Sequence, residues 1–300
     1  MKAKKLSKHA EHLVAPFRVT QGKKFRLKDF DADDTDGLKD KDDAHGLLEQ
    51  SVAMLSQLQE KLYAQDRWSV LVILQGMDAS GKDGVIKHVM SGVNPQGCDV
   101  WSFKAPSPEE LDHDYLWKSH KLLPERGKIG IFNRSYYEET LVVRVHPEVL
   151  GAEKLPASTV SKQIWQQRFE DINAFERYLT RNGTIVLKFF LHLSKKEQKK
   201  RFLERLDDSK KNWKFSMADV KERGFWKEYQ QAYEEMIQNT STENAPWHVV
   251  PADNKWFTRL VVAFAVVTAL NGLKLSFPDE RKPKRKELAK VRESLMHEKD

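Results

Sequence analysis

A chain of 300 residues with 40% hydrophobic content can bury a sizeable core, and one large domain with appendages accounts for that length. Its 51 Lys and Arg against 44 Asp and Glu leave a net +7, which draws in polyanions if the excess is gathered in one place and means little if it is scattered. The single cysteine, Cys98, excludes an internal disulfide, and neither the lysine-rich start nor the longest apolar run, Leu260 to Leu270, suits a signal peptide or a bilayer span, so a cytoplasmic protein is expected.

Residues 1–44 are rich in Lys and Asp with little periodicity and read as an N-terminal arm or irregular cover. From His45 to Ala64 the apolar Leu48, Val52, Leu55 and Leu62 recur on one helical face. "WSVLVILQ" (Trp68 to Gln75) is a short apolar run with almost no polar alternation, the pattern of a parallel strand covered on both sides. Similar runs follow at Asp99 to Phe103, Lys128 to Phe132, Gly183 to Leu193 and Trp247 to Pro251. Between them, Ser107, Pro108 and Glu110 supply a cap, a first-turn proline and a capping-box acid for a helix running through "DHDYLWKSHKLL". Trp165, Phe169, Ile172 and Leu179 mark another amphipathic helix. Strand and helix in alternation predict an α/β fold, a five-stranded parallel sheet with helices on both faces over residues 45–275. The charged residues 276–300 read as a solvated helix or loose tail.

The first strand runs into "GMDASGKD", where Gly76, Gly81 and Lys82 have the spacing of a phosphate-binding loop. A helix beginning at "GVIKHVM" would aim backbone N–H groups, Ala79 among them, at an anion, with Lys82 reaching phosphate oxygens as a mobile charge. The position after the lysine, normally a hydroxyl that ligates Mg²⁺, is Asp83. Asp78, inside the loop, is a candidate metal ligand or orienting group for the attacking phosphate; capping of the turn is its ordinary alternative.

Ligands of open parallel sheets bind beyond the carboxyl ends of the strands, and there "IFNRSYYEETLVVRVHPE" places Asn133 and Arg134 beside the expected loop. Arg134 offers a planar fork to phosphoryl oxygens; a surface pair with Glu138 or Glu139 is the plainer reading. Asn133 stands where many phosphate-loop enzymes carry a magnesium-binding aspartate, which leaves Asp78 the better metal candidate. Lys104, past the second strand, also lies on the ligand side. In residues 195–225, Arg201 and Arg205 share one helix face; such a segment closes over phosphates in small kinases, and a solvated charged helix carries the same pattern.

The blocks "LQGMDASGKDGVIKHVMSGVNPQG", "HDYLWK", "IFNRSYYEETLVVRVHPE", "LKFFLHLSKKEQKKRFLERL" and "NWKFSMADVKER", in that order over roughly residues 10 to 275, resemble the polyphosphate kinase 2 family. The resemblance implies a P-loop kinase fold similar to thymidylate kinase, with a helical lid. It also implies reversible phosphoryl transfer between inorganic polyphosphate and nucleotides, dependent on Mg²⁺ with Mn²⁺ as a substitute. By position it puts Asp78 and Lys82 on the phosphate loop, Asn133 and Arg134 on the second motif, and Arg201 and Arg205 on the lid; Glu138 is a further candidate for nucleotide or phosphate binding. The "NRS.YE" form is similar to a subgroup acting on both ADP and AMP. A homo-oligomer, commonly a tetramer, is implied as well, with neither nucleic acid nor membrane as partner.

A polyanion needs a basic groove, for which Lys87, Lys104, Lys188 and Lys214 are weaker candidates. The loop is expected to hold the acceptor nucleotide's phosphate, with polyphosphate arriving along that groove. Two rival readings remain: an ATP-dependent nucleoside monophosphate kinase of the same fold, and a non-catalytic polyphosphate-binding module.

Overall fold

The computed structural model describes residues 3–38, 41–278 and 282–298; residues 1–2 and 39–40 of the expected arm, and 279–281 and 299–300 of the expected tail, lie outside them. Six strands form one sheet: β1 (Arg18–Val19), β2 (Ser69–Gln75), β3 (Cys98–Ser102), β4 (Ile129–Asn133), β5 (Thr184–His192) and β6 (Trp247–Pro251). Their order is β1-β6-β5-β2-β4-β3, and every pairing is parallel except β1 with β6. The expected sheet of five strands thus gains a sixth. β1 has two residues, pairing Arg18 with His248 and Val19 with Trp247, and so short a strand has no periodicity of its own to betray it.

All seven residues of β2 are buried because its two faces meet separate cores. Val70, Val72 and Leu74 belong to one, and Leu71 and Ile73 to the other. That is the cause of the missing polar alternation. The first face is covered by helices α1 (Ala3–Val14), α2 (Lys41–Gln65), α3 (Lys82–Val89) and the long α12. Between α3 and α12 come α4 (Pro108–Leu111), α5 (Trp117–Lys121), α6 (Val142–Val145), α7 (Pro147–Ala152), α8 (Ile164–Arg181), α9 (Lys195–Asp207), α10 (Met217–Glu222) and α11 (Trp226–Thr240). The second face is covered mainly by α8 and α11. α12 (Lys255–Gly272) carries the apolar run from Leu260 to Leu270, buried against the sheet, and α13 (Lys282–Met296) is the last element of the described chain. No helix among the described residues is long and apolar enough to cross a membrane.

Two local readings change. The segment expected to be an irregular arm contains α1, whose Leu6, Ala10 and Leu13 are buried against α12; three apolar residues on one face outweigh the surrounding lysines. The capping box is present, with Ser107 Oγ accepting from Glu110 N at 3.2 Å and Ser107 N donating to Glu110 at 3.1 Å. The helix it starts stops at Leu111, because Asp114 Oδ1 takes the Leu116 N–H at 2.9 Å and turns the chain before α5 begins.

Candidate active site

The chain leaves the carboxyl end of central β2 at Gly76, between strands that continue to opposite sides of the sheet, where a crevice forms. Gly76 has φ +150°, and a Cβ there would lie 2.9 Å from Leu191 O and 2.8 Å from Ser80 Oγ. Only glycine fits. Ala79 (φ +63°) and Gly81 (φ +104°) continue the left-handed turn, and Gly81 caps α3 without a side-chain hydrogen bond, so the helix N-terminus faces the crevice uncapped. Ser80 Oγ is buried there with no hydrogen-bond partner.

Lys82, the first residue of α3, folds under the loop and donates to Gly76 O at 2.6 Å and Met77 O at 3.3 Å. Burial, helped by the Arg134 charge, lowers its pKa to about 8 against the pull of Asp78, Glu138 and Asp83. Asp83 accepts from Asn133 Nδ2 at 2.8 Å, so it ties the loop helix to the end of β4. Arg134 follows β4 at φ +62°, in the left-handed region, and its N–H donates to Leu74 O at 3.0 Å. Its guanidinium meets Asp78 at 2.6 Å and Glu138 at 3.3 Å, and these carboxylates push its pKa further up.

Two cavities meet at Arg134. One, about 350 Å³, lies over the loop and is lined by Asp78 to Gly84, Asn133, Arg201, Glu204, Arg205, Lys211, Asp219 and Lys255. It is polar, with six cationic side chains (Lys82, Arg134, Arg201, Arg205, Lys211 and Lys255) against four carboxylates (Asp78, Asp83, Glu204 and Asp219). The other, about 410 Å³, opens past β3 and β4 and is walled largely by apolar groups, among them Phe103, Tyr115, Val142, Val143 and Leu155, with Lys104 and Glu138. Buried in its wall are Tyr115 Oη and Glu153 Oε1, neither with a hydrogen-bond partner. Glu139 and Glu153 share the buried Arg168, the first at 2.5 Å, and burial with the Glu153 charge pushes the Glu139 carboxyl up to about 8.

The expected lid is docked on the loop through α9. Gln198 donates to Asp78 O at 2.9 Å. Arg201 is buried, giving Nη1 to Ala79 O and Ser80 O, Nη2 to Ala252 O and Asp253 O, and Nε to Glu197. The N–H donors of its guanidinium are all spent on protein acceptors although it lines the cavity, whereas Arg205, one turn on, pairs among the described carboxylates only with Asp219, at 3.4 Å, and lines the same cavity.

Of the residues singled out from sequence, Asp78, Ala79, Gly81, Lys82, Asp83, Asn133, Arg134, Arg201 and Arg205 line one cavity, while Lys104 and Glu138 line the other. Lys87 is exposed in the last turn of α3 and lines neither. Lys188 is a correction. It is fully buried, paired with Glu176 at 2.6 Å, and reaches no groove. The side chain of Lys214 lies outside the described residues. Sequence reasoning passed over Asp219, Lys211, Lys255, Tyr115 and Glu153; Lys255 follows the end of β6, where the strand-end rule could have found it. No group of three or more His, Cys, Asp or Glu among the described residues could hold a metal by itself. Mg²⁺ asks for less, one or two carboxylates with phosphates and water. Asp78 and Asp219 share the cavity, and burial together with the Asp78 charge raises the Asp219 pKa, a like-charge conflict that a divalent cation would relieve.

A glycine-bent loop opening onto a helix N-terminus at the switch point of a parallel sheet, with a lysine beneath and an arginine opposite, defines a phosphate-handling protein of the P-loop kinase class. The family model described as Polyphosphate kinase 2 (PPK2) matches residues 38–278, and the chain belongs to that family. It is 50% identical to an ADP-polyphosphate phosphotransferase of Rhodopseudomonas palustris, covering 93% of this chain and 97% of the relative. It is 46% identical to an AMP/ADP-polyphosphate phosphotransferase of Meiothermus ruber, covering 87% and 94%. The crystal structure of polyphosphate kinase 2 from Arthrobacter aurescens TC1 superposes with TM-score 0.83 at 40% identity, over 92% of this chain and 95% of that one.

Proposed function

We propose that this protein transfers the terminal phosphoryl group of inorganic polyphosphate to ADP and to AMP, with Mg²⁺. The observation that carries the reading is the position of Arg134, which lines both cavities. The cationic cavity suits a chain of phosphates, and the apolar one, with Tyr115 Oη and Glu153 Oε1 unpartnered, suits a nucleoside. This reverses the expectation from sequence: polyphosphate takes the loop, and the acceptor enters from the apolar side. AMP joins ADP as an acceptor on the strength of the Meiothermus ruber relative, which is named for both.

In this scheme Lys82, Arg134 and Arg205 face the negative oxygens of the phosphoryl group in flight. Asp78 holds the metal or orients the acceptor phosphate. In the metal-holding role Asp78, with Asp219 beside it in the cavity, would hold Mg²⁺, which would supply charge neutralisation to the phosphates. Arg201 holds the loop to the turn between β6 and α12 and leaves phosphate binding to Arg205. Positioning and charge suffice, and no covalent intermediate on the protein is required.

The test supplies AMP and ADP separately, with polyphosphate as sole donor and no ATP, and follows products over time. ADP formed from AMP and ATP formed from ADP are expected. A requirement for ATP as donor would make the protein a nucleoside monophosphate kinase, and binding without turnover would make it a polyphosphate-binding module.

A further inference from the structure

Lys188 sits in the middle of β5 with no exposed surface, and burial lowers its pKa against the pull of Glu176. Its ammonium has three donors and three partners: Glu176 Oε2 at 2.6 Å, Tyr137 Oη at 2.8 Å and Thr240 O at 2.7 Å. Glu176, on α8, is equally buried and fully used. Its Oε1 accepts from Tyr136 Oη at 3.0 Å and from Tyr137 Oη at 2.7 Å. A buried lysine and glutamate are costly to desolvate and contribute little net stability over an apolar pair of the same size. Stability alone is therefore a poor account of why these two charges stand in the core.

What the pair grips is more telling. Tyr136 and Tyr137 stand two and three residues beyond Arg134, the non-glycine residue held at φ +62° at the meeting of the two cavities. Upstream, Arg134 N is fixed to Leu74 O of β2. Downstream, Ser135 Oγ receives Gln75 Nε2 and caps Tyr137 N, both at 3.2 Å, and then both phenols end on one carboxylate. Backbone in a sparsely populated region persists only when its surroundings over-determine it. The turn also carries Glu138, a partner of the Arg134 guanidinium.

We infer that Glu176 and Lys188 are positioning residues for phosphoryl transfer, an ion pair that acts through Tyr136 and Tyr137 to hold Arg134 in its strained conformation and aim its guanidinium. This rests on the reading that Arg134 faces the transferred phosphoryl group.

The decisive variant is Tyr136→Phe with Tyr137→Phe, which cuts the tie while leaving the ion pair and the aromatic packing in place. A second, Lys188→Met with Glu176→Leu, removes both charges together so that neither is left buried alone. Each is compared with wild type for kcat and both KM values, well below its melting temperature, alone and in an Arg134→Lys background. Amide exchange is followed at residues 134–138. The expected result is a kcat about 10- to 100-fold lower with KM values within about twofold, no further loss in the Arg134→Lys background, and faster exchange at 134–138. Folded variants with undiminished kcat and unchanged exchange would overturn the inference, as would a loss of the same size in the Arg134→Lys background. If wild type shows no polyphosphate-dependent turnover, the functional reading fails, and the exchange measurement still decides whether the pair anchors this turn.

Discussion

Arg134 Nη2 and Asp78 Oδ1 lie 2.6 Å apart, although 56 residues separate them in the chain. The contact joins the phosphate loop to the end of β4 and neutralises two groups that the proposed transfer uses separately. A phosphate that draws Arg134 to itself frees the Asp78 carboxylate for a metal or an acceptor. Both side chains are partly exposed, 36% and 23%, so the pair itself is worth at most about 1 kcal/mol of stability.

Asp78→Asn separates these contributions. Its melting temperature should stay within a few degrees of wild type, while kcat should fall about 100- to 1000-fold, the usual cost of losing a group that acts on transition-state charge. If Asp78 holds the metal, the Mg²⁺ concentration for half-maximal rate rises; if it orients the acceptor, the nucleotide KM rises instead. A variant with near-normal kcat would reduce Asp78 to a loop-turn and ion-pair residue.

Lys82 has its pKa lowered from 10.5 to about 8, so its ammonium is lost as pH rises through about 8. In the free enzyme that proton is essential, and kcat/KM for polyphosphate should decline above pH about 8, tenfold per unit. Bound phosphates favour the charged form, so kcat should hold to higher pH. In Lys82→Arg the alkaline limb should disappear from whatever activity remains, since arginine does not titrate there. Lys82→Ala should abolish transfer and leave the fold intact, checked by circular dichroism beside the assay.

Arg201 and Arg205 are one helical turn apart and should fail in different ways. Arg201→Ala strands carbonyls of Ala79, Ser80, Ala252 and Asp253 in a buried site and should cost about 3 kcal/mol or more in urea unfolding. Arg205→Ala should leave the unfolding midpoint unchanged and raise the KM for polyphosphate several-fold. Equal effects on stability would show that Arg205 is a structural tie as well.

The contrast marks where sequence stops being informative. The loop, the strand before it and the helix after it were legible because glycine spacing and apolar runs act over a few neighbouring residues. Nothing in "KKRFLERL" distinguishes Arg201 from Arg205; the carbonyls that occupy the former lie 121 residues before it and 51 after it. Lys188 misled for the same reason. A lysine in a strand near phosphate-binding motifs suggests a basic groove, and its partner Glu176 sits on another element whose packing no local pattern reveals. The pairing of β1 joins residues 230 apart, Arg18 and His248, and two residues leave no pattern to read.

Glu139 makes a prediction about stability alone. Burial and the neighbouring Glu153 push its carboxyl up to about 8, far above the 4.5 of an unfolded chain. Between those values the folded protein holds a proton that the unfolded chain has released, so stability falls as pH rises through the window, by at most about 1.4 kcal/mol per pH unit for one proton. Lys82 acts with the opposite sign, since its depressed pKa makes the unfolded chain the better proton binder, but only between about 8 and 10.5. Below pH 8 the histidines His248, His192 and His88, whose pKa values burial lowers, add slopes of the same sign as Lys82, and it is the comparison with Glu139→Gln that cancels them. In Glu139→Gln the site cannot titrate, and Arg168 keeps its pairing with Glu153. Urea unfolding at pH 5.5, 6.5 and 7.5, each about a unit apart, should show wild type losing stability relative to Glu139→Gln at each step; parallel curves would mean that Glu139 is ionised throughout, and that Arg168 carries both carboxylates as anions.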